Sequence, residues 1–193
     1  DLPYGDRVTV ADLMAHTGGL PNPIPLRWVH PFAEHGAFDE HQAFSAVLLA
    51  NPRLSREPGA RYAYSNIGYW MLGAIVERVA AMAFTSYVTT RVLEPLGLGA
   101  GELGYTVSDP GRHATGYLEK WSWANLLSRW LVDARLVGVY DGAWRRIGDH
   151  YPNGPAFGGL VGAARVFSVF LHDQLRPHSV LLNDDTRALL YRQ

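Results

Sequence analysis

Apolar residues recur along this chain mostly at helical spacing, and the polar residues between them mark where each helix starts and stops. The clearest run is Ile67 to Met82, where Tyr69, Leu72, Ile75, Val76 and Val79 return every three or four positions. Thr9 is placed to cap a short helix in VADLMAH, with Val10, Leu13 and Met14 on one face. DEHQAFSAVLLAN reads as a second helix, capped by Asp39 and stopped at Asn51-Pro52. FTSYVTTRVLEPLG reads as another, with Thr85 as its cap and Pro95-Leu96-Gly97 as its stop. Further helices are predicted in SWANLLSRWLVDARL, in AARVFSVFLHDQL with Val166, Phe167, Phe170 and Leu171 inward, and in NDDTRALLYRQ. Strand signals are few: HATGYLEK, and a hairpin in VGVYDGAWRRI turning at Asp141-Gly142. The prolines of LPNPIPLRWVHPF predict a surface loop or an extended strap. The expected fold class is mainly α with a few short strands, too few to form the central sheet of a domain.

Composition narrows the partners. At 193 residues, with 48% hydrophobic and 18% charged, the chain is one domain or a large piece of a bigger one, and it can bury a core. A formal net charge of −1, a single lysine (Lys120) and scattered arginines give no footprint for nucleic acid or an anionic membrane surface. No apolar run is long enough to cross a bilayer; the longest are broken by Glu77, Arg78 or glycine. Without cysteine there are no disulfides, thiolate ligands or cysteine nucleophile. The start, DLPYGDRVTV, has neither an initiator Met nor a signal peptide and reads as a cut or processed end, which leaves the compartment open.

Three kinds of chemistry compete for the polar residues. The chain has eight histidines, and His30, His35 and His41 stand near Glu34 and Glu40, which raises a His-based metal hydrolase. No His-Glu-x-x-His pair puts two ligands on one helix face, so these read as solvated loop histidines, and neither metal nor cofactor is expected. A nucleophile elbow, Gly-x-Ser-x-Gly, is absent, and GAGELG lacks a strand–helix setting for phosphate. Tyr64-Ser65-Asn66 is the third candidate: polar tips crowd the mouth of an apolar helix that needs one cap. On the residues alone two readings stay open. Tyr64 is a buried aromatic beside Tyr62 and Tyr69 with Asn66 as the cap, or the triplet is a catalytic element.

The triplet does not stand alone. HTGGLP (His16 to Pro21) precedes PGARYAYSN, which is followed by GYWMLGAIVERV, EPLGLG, ATGY and FGGLVGAARVFSVFL. In order and spacing these strings resemble the serine β-lactamase-related family, which includes class C β-lactamases, D-Ala-D-Ala carboxypeptidases and esterases of the same fold. The resemblance covers most of the chain, with two departures: Gly18 stands where the family usually has Ser, and GLVGAARV lacks the Ser-Thr and Asp of the last string. It implies that Tyr64 is the general base that takes the nucleophile's proton and returns it to the leaving group. A free phenol, with a pKa near 10, needs a nearby cation for that role. In the family, lysine of Ser-x-x-Lys and a Lys or His of a third element supply it. Asn66 is implied to orient that lysine and a substrate carbonyl or amide. HTGGLP reads as a helix stop that shapes the cleft floor, with His16 as a packing or hydrogen-bonding residue.

Two family elements have no counterpart here. No serine is followed three residues later by lysine, and Lys120 is preceded at that distance by Tyr117; no Lys-Thr-Gly or His-x-Gly follows the last helix. The expectation is a partial domain over residues 1–193: the helical portion of a β-lactamase/transpeptidase-like α/β fold, lacking most of the central sheet. The implied function is part of a serine hydrolase that forms an acyl-enzyme on a β-lactam, a D-alanyl peptide or a small ester, the fragment itself being inactive. A non-catalytic binding or regulatory relative of the same fold is the alternative. Helix faces left uncovered imply self-association. The Trp-rich stretch from Trp121 to Trp144 covers the cleft, binds a partner or packs on the missing sheet, and packing is the default.

Overall fold

The computed structural model describes residues 3–23, 27–99 and 101–191, except the side chains of 129–131. In chain order its elements are α1 (Val10–Met14), β1 (Val29–Pro31), α2 (Glu40–Ala50), α3 (Asn66–Ala80), α4 (Phe84–Val88), β2 (Leu103–Gly104), β3 (Tyr117–Glu119), α5 (Trp123–Leu131), β4 (Val137–Asp141), β5 (Trp144–Ile147), β6 (His150–Pro152), β7 (Val161–Gly162), α6 (Ala164–Leu175) and α7 (Asp184–Leu190). Helices with short strands in small sheets are what the patterning predicts. The chain divides into two compact units, Asp1–Gly73 with Arg112–Gly159, and Ala74–Gly111 with Leu160–Gln193.

In the first unit the predicted caps form. Thr9 and Asp12 make a capping box on α1: the Thr9 hydroxyl accepts the Asp12 N–H at 3.2 Å and the Asp12 carboxylate accepts the Thr9 N–H at 3.0 Å. Asp39 accepts the Gln42 N–H at 2.9 Å and starts α2. The face of α3 that packs inward is Ile67, Trp70 and Met71, not the row through Tyr69 and Val79; Val79 is 83% exposed. Apolar residues lie on both sides of this helix, so periodicity alone could not choose the inner face. Trp70 packs among Phe44, Trp28 and Phe157, and its indole N–H donates to Glu40 at the start of α2 at 3.1 Å.

The proline-rich strap is more ordered than expected. Residues 24–26 lie outside the described residues, but β1 follows and pairs antiparallel with β6, so that His30 faces Tyr151. The hairpin at Asp141-Gly142 forms as read, with Gly142 at φ 58°, and β5 lies between β3 and β4. Helix α5 begins at Ser122, whose hydroxyl accepts the Asn125 N–H at 3.2 Å. Two tryptophans at its start are uncovered by the described residues, which leaves untested the default of packing on an absent sheet. Trp121 is 87% and Trp123 78% exposed, because Asn125 and Ser128 take the inner face.

In the second unit, Leu93, Leu98, Leu103 and Val166 form a core, with Val88, Val92 and Leu96 packed against it. Thr85 does not cap α4. The Phe84 N–H donates to Glu77 at 2.8 Å instead, a cap contributed by a residue seven positions upstream. Helix α4 runs on through a π-helical turn (Thr89–Leu93) and a 3-10 turn (Glu94–Leu96), and stops at Gly97 with φ 73°, as Pro-Leu-Gly predicts. On α6 only Val166 of the four residues expected inward is fully buried; Phe167 and Leu171 are exposed. Asp173, also on α6, is buried where it accepts the Ser179 hydroxyl at 2.5 Å and the Val180 N–H at 2.8 Å.

Candidate active site

Helix α3 must satisfy the N–H groups of its first turn, and the residues that do so decide what is left for chemistry. Ser65 is one. Its hydroxyl accepts the Gly68 N–H at 3.3 Å and donates to the Pro21 carbonyl at 2.8 Å. Asn22 is the other: its amide oxygen accepts the Asn66 N–H at 3.0 Å. Asn66 is therefore the first residue of the helix and not its cap, contrary to one of the two sequence readings. Its side chain is released, and the amide oxygen accepts the Tyr64 hydroxyl at 2.9 Å. Tyr64 is not a buried aromatic either; it is 50% exposed.

His16 ties this corner to α1. It is in the left-handed region, φ 55°, just after the last turn of α1, a conformation histidine tolerates better than most residues. Its carbonyl accepts the Ala63 N–H at 2.8 Å, and its Nδ1 accepts the Ser65 N–H at 3.2 Å. The ring stacks on Tyr69 with centroids 4.9 Å apart, and lies 4.5 Å from the Tyr64 ring. Burial pushes the His16 pKa below its ordinary 6.5. A neutral ring with its proton on Nε2 is the form that accepts at Nδ1, so burial and the hydrogen bond favour the same tautomer. This is the packing and hydrogen-bonding role expected of HTGGLP.

Two glycines fix the rest of that segment. Gly19 has φ 69°, and a Cβ there would collide with the Arg56 carbonyl oxygen; the Gly19 carbonyl accepts the Ser55 N–H at 2.8 Å. At Gly18 a Cβ would stand 2.8 Å from a Leu20 methyl and 2.9 Å from a Val8 methyl. The methyls fill the space that the family's serine side chain would need.

The arrangement holds a phenol at the surface with an amide as its partner. An amide can serve both protonation states: its oxygen accepts from the phenol, and its NH₂, once turned, donates to the phenolate. Sequence reading found Tyr64 and Asn66 and missed Asn22. An Asn in a proline-rich stretch, 44 residues from the group it caps, carries no local signal.

The histidine cluster is built differently from the solvated loop expected. His30 is 4% exposed, with Nδ1 2.9 Å from the Asn153 amide oxygen and Nε2 2.9 Å from His35 Nδ1. Phe38 stacks on it at 3.8 Å. Glu34 is engaged by Arg135, and His41 is exposed. Among the described residues no three His, Asp or Glu side chains gather as a metal site would require.

The folds and strings now have counterparts among known proteins. The Beta-lactamase family model matches residues 2–191. An assigned D-alanyl-D-alanine carboxypeptidase of Salmonella schwarzengrund (strain CVM19633) is 29% identical over 93 residues, 48% of this chain and 21% of that protein. The D-amino acid amidase of Ochrobactrum anthropi SV3 shares the fold, with a TM-score of 0.71 and 20% identity over 97% of this chain and 49% of the amidase. A penicillin-binding protein of Bacillus halodurans matches with a TM-score of 0.60 and 20% identity, over 97% of this chain and 54% of that one. The chain belongs to the Beta-lactamase family, the serine β-lactamase and penicillin-binding-protein group. It spans about half the length of these solved relatives. Among the described residues no single helix is long and apolar enough to cross a membrane.

Proposed function

We propose that the chain is part of a serine hydrolase acting through an acyl-enzyme on a β-lactam, a D-alanyl peptide or a small ester, with Tyr64 as general base and Asn66 orienting the substrate. The observation that carries this reading is the division of labour at α3. Ser65 and Asn22 take the Gly68 and Asn66 N–H groups at the helix start, and the Tyr64–Asn66 hydrogen bond, between two side chains, caps none of them. Carboxypeptidase and amidase relatives support the hydrolase class. In the reaction a serine oxygen bonds to the acyl carbon as its proton passes to Tyr64, and the leaving group departs with that proton. Water then attacks the acyl-enzyme, and Tyr64 carries the water's proton back to the serine.

The serine is proposed to lie outside these 193 residues, which would constitute the helical portion of the domain without most of its sheet. On that reading the isolated chain turns over no substrate. It also exposes apolar side chains on the helices of 67–82 and 164–174 that the sheet would cover, among them Val79, Phe167 and Leu171. Light scattering of the purified chain is expected to show dimers or larger species; a monodisperse monomer would mark a self-sufficient domain.

The test of the base is Tyr64→Phe in the full-length protein. It removes one oxygen and almost no volume, so kcat/KM should fall about 10²–10⁴-fold with the melting temperature nearly unchanged. Tyr62→Phe is the control, because Tyr62 touches the His16 ring and makes no hydrogen bond to the Asn66 amide. Equal activities in the two variants would remove the general base from the mechanism.

One observation favours a second reading, a non-catalytic relative of the same fold: no serine in the chain is followed by lysine at the family spacing. Labelling the full-length protein with a fluorophosphonate separates the two. A labelled serine supports the hydrolase, and no label supports the binding relative.

A further inference from the structure

We propose that the hollow beside α5 is a binding site for an anion carried on a flat apolar body, such as an aryl carboxylate or an aryl phosphate ester. The hollow has a volume of about 510 Å³ and is lined by Lys120, Trp121, Trp123, Asn125, Tyr140 and Arg145, with Ser122 and Leu126 at its edge. That volume is in the range of small-molecule sites, which are mostly apolar with a few placed polar groups.

The aromatic side chains provide the apolar surface. Trp121 and Trp123 stand out into solvent, and Tyr140 and Trp144 are about half-exposed. Each large ring represents 150–250 Å² that gains by being covered, and flat faces take flat ligands. The charge sign follows from the cations. Lys120 Nζ is 5.7 Å from the ring centroids of both Trp121 and Tyr140, and the Arg145 guanidinium is 5.2 Å from that of Tyr140. A ligand cation would therefore meet aromatic faces already occupied by positive charge. Among the described residues neither Lys120 nor Arg145 forms an ion pair, whereas Arg7, Arg135, Arg146 and Arg187 do. Two uncompensated cations in an aromatic hollow leave room for one anion.

The site is also held in shape before a ligand arrives. The Asn125 amide N–H₂ donates to the Tyr140 hydroxyl and to the Lys120 carbonyl, each at 2.9 Å. Arg145 donates from Nε to the Gly138 carbonyl at 3.1 Å and from Nη1 to the Asn125 amide oxygen at 3.4 Å. Its Nη2 is given no partner among the described residues. A guanidinium fixed on two sides with one edge free loses little freedom when it meets a carboxylate or phosphate. Asn125 itself is buried, so the group that holds the Arg145 guanidinium and the Lys120 backbone is not a mobile surface group.

The experiment is calorimetric titration of the full-length protein with 2-naphthoate, 2-naphthyl phosphate, 2-naphthalenemethanol and acetate. The two aryl anions are expected to bind, and the neutral alcohol and the ringless acetate at least tenfold more weakly. Whichever anion binds tighter identifies the source of the charge as carboxylate or phosphate. Lys120→Ala should weaken the aryl anions about tenfold, Lys120→Arg should restore most of the affinity, and Trp121→Ala should weaken all aryl ligands. Lys120 and Trp121 are surface residues, so unchanged melting temperatures certify the fold of each variant. Absence of anion binding at millimolar concentration, equal binding of the alcohol, or an unchanged affinity in Lys120→Ala would each overturn the proposal.

Discussion

His16 and His30 both sit in the first unit, and they do different work. Burial lowers the pKa of both, and each forms hydrogen bonds that suit a neutral ring. His30 looks inward. Its partners are Asn153 and His35, its faces meet Phe38 and Tyr151, and this group makes no exposed acid or base. The row through His16 runs outward, from the Ser65 backbone and the Tyr69 ring to Tyr64, which is half in solvent. The pair teaches that histidine density is a poor guide to chemistry in this molecule. On the proposed function, what matters is whether a fixed polar row ends at the surface on a group that can exchange a proton.

That contrast can be broken most decisively by exchanging the two losses. Tyr64→Phe is expected to remove activity and leave stability, and His30→Ala should do the reverse. Deleting the His30 ring leaves a cavity between Phe38 and Tyr151 and takes the partner from the Asn153 amide oxygen. The cost should be about 2–4 kcal/mol in chemical denaturation. The kcat of the molecules that remain folded should be unchanged; a matching fall in kcat would make the His30 cluster part of the site.

Ser65→Ala is the next smaller effect. It deletes the acceptor for Gly68 N–H and the donor to the Pro21 carbonyl, at a cost of about 1–2 kcal/mol. Activity should fall less than in Tyr64→Phe, since Asn22 still holds the helix start. A stability equal to that of the parent would show that Ser65 caps nothing.

The mildest probe is acid. Both histidines have folded pKa values below the unfolded value of 6.5, so the fold favours their neutral forms. Their contribution is complete above pH 6.5 and is lost as pH falls through the lowered folded values. The melting temperature should be level above neutrality and begin to decline below pH 6.5. His16→Phe keeps a ring against Tyr64 and Tyr69 and should make that decline shallower. A slope that rises on acidification would reverse the assignment of the neutral tautomer.

How much of this was legible in the sequence depends on how far each interaction reaches. Thr9, Asp39, Asp141-Gly142 and Gly97 act on neighbours within a few positions, and each was readable. The caps at Phe84 and Asn66 were not, because Glu77 and Asn22 reach them across a chain reversal. The inner faces of α3 and α6 were misjudged for a different reason. Both helices carry apolar residues on more than one side, so spacing could not tell the side facing the core from the side left exposed. Tyr64 and Asn66 were singled out by the order of five strings, and the structure adds that their side chains are hydrogen-bonded to each other.

The Ser65–Pro21 bond joins residues 44 positions apart, and the Asn66–Asn22 bond does the same. The corner is thus held by the two ends of a segment that contains β1 and α2 and reaches α3 through an irregular stretch, residues 51–65. For the irregular stretch between α2 and α3, loop-closure entropy grows only logarithmically, so even doubling it costs about 0.6 kcal/mol. Length can therefore be added or removed at an exposed point such as Arg53 at small thermodynamic expense. A chain with this arrangement can change what surrounds Tyr64 by altering the length of that connection while the Tyr64–Asn66 hydrogen bond, the proposed seat of proton transfer, stays where it is.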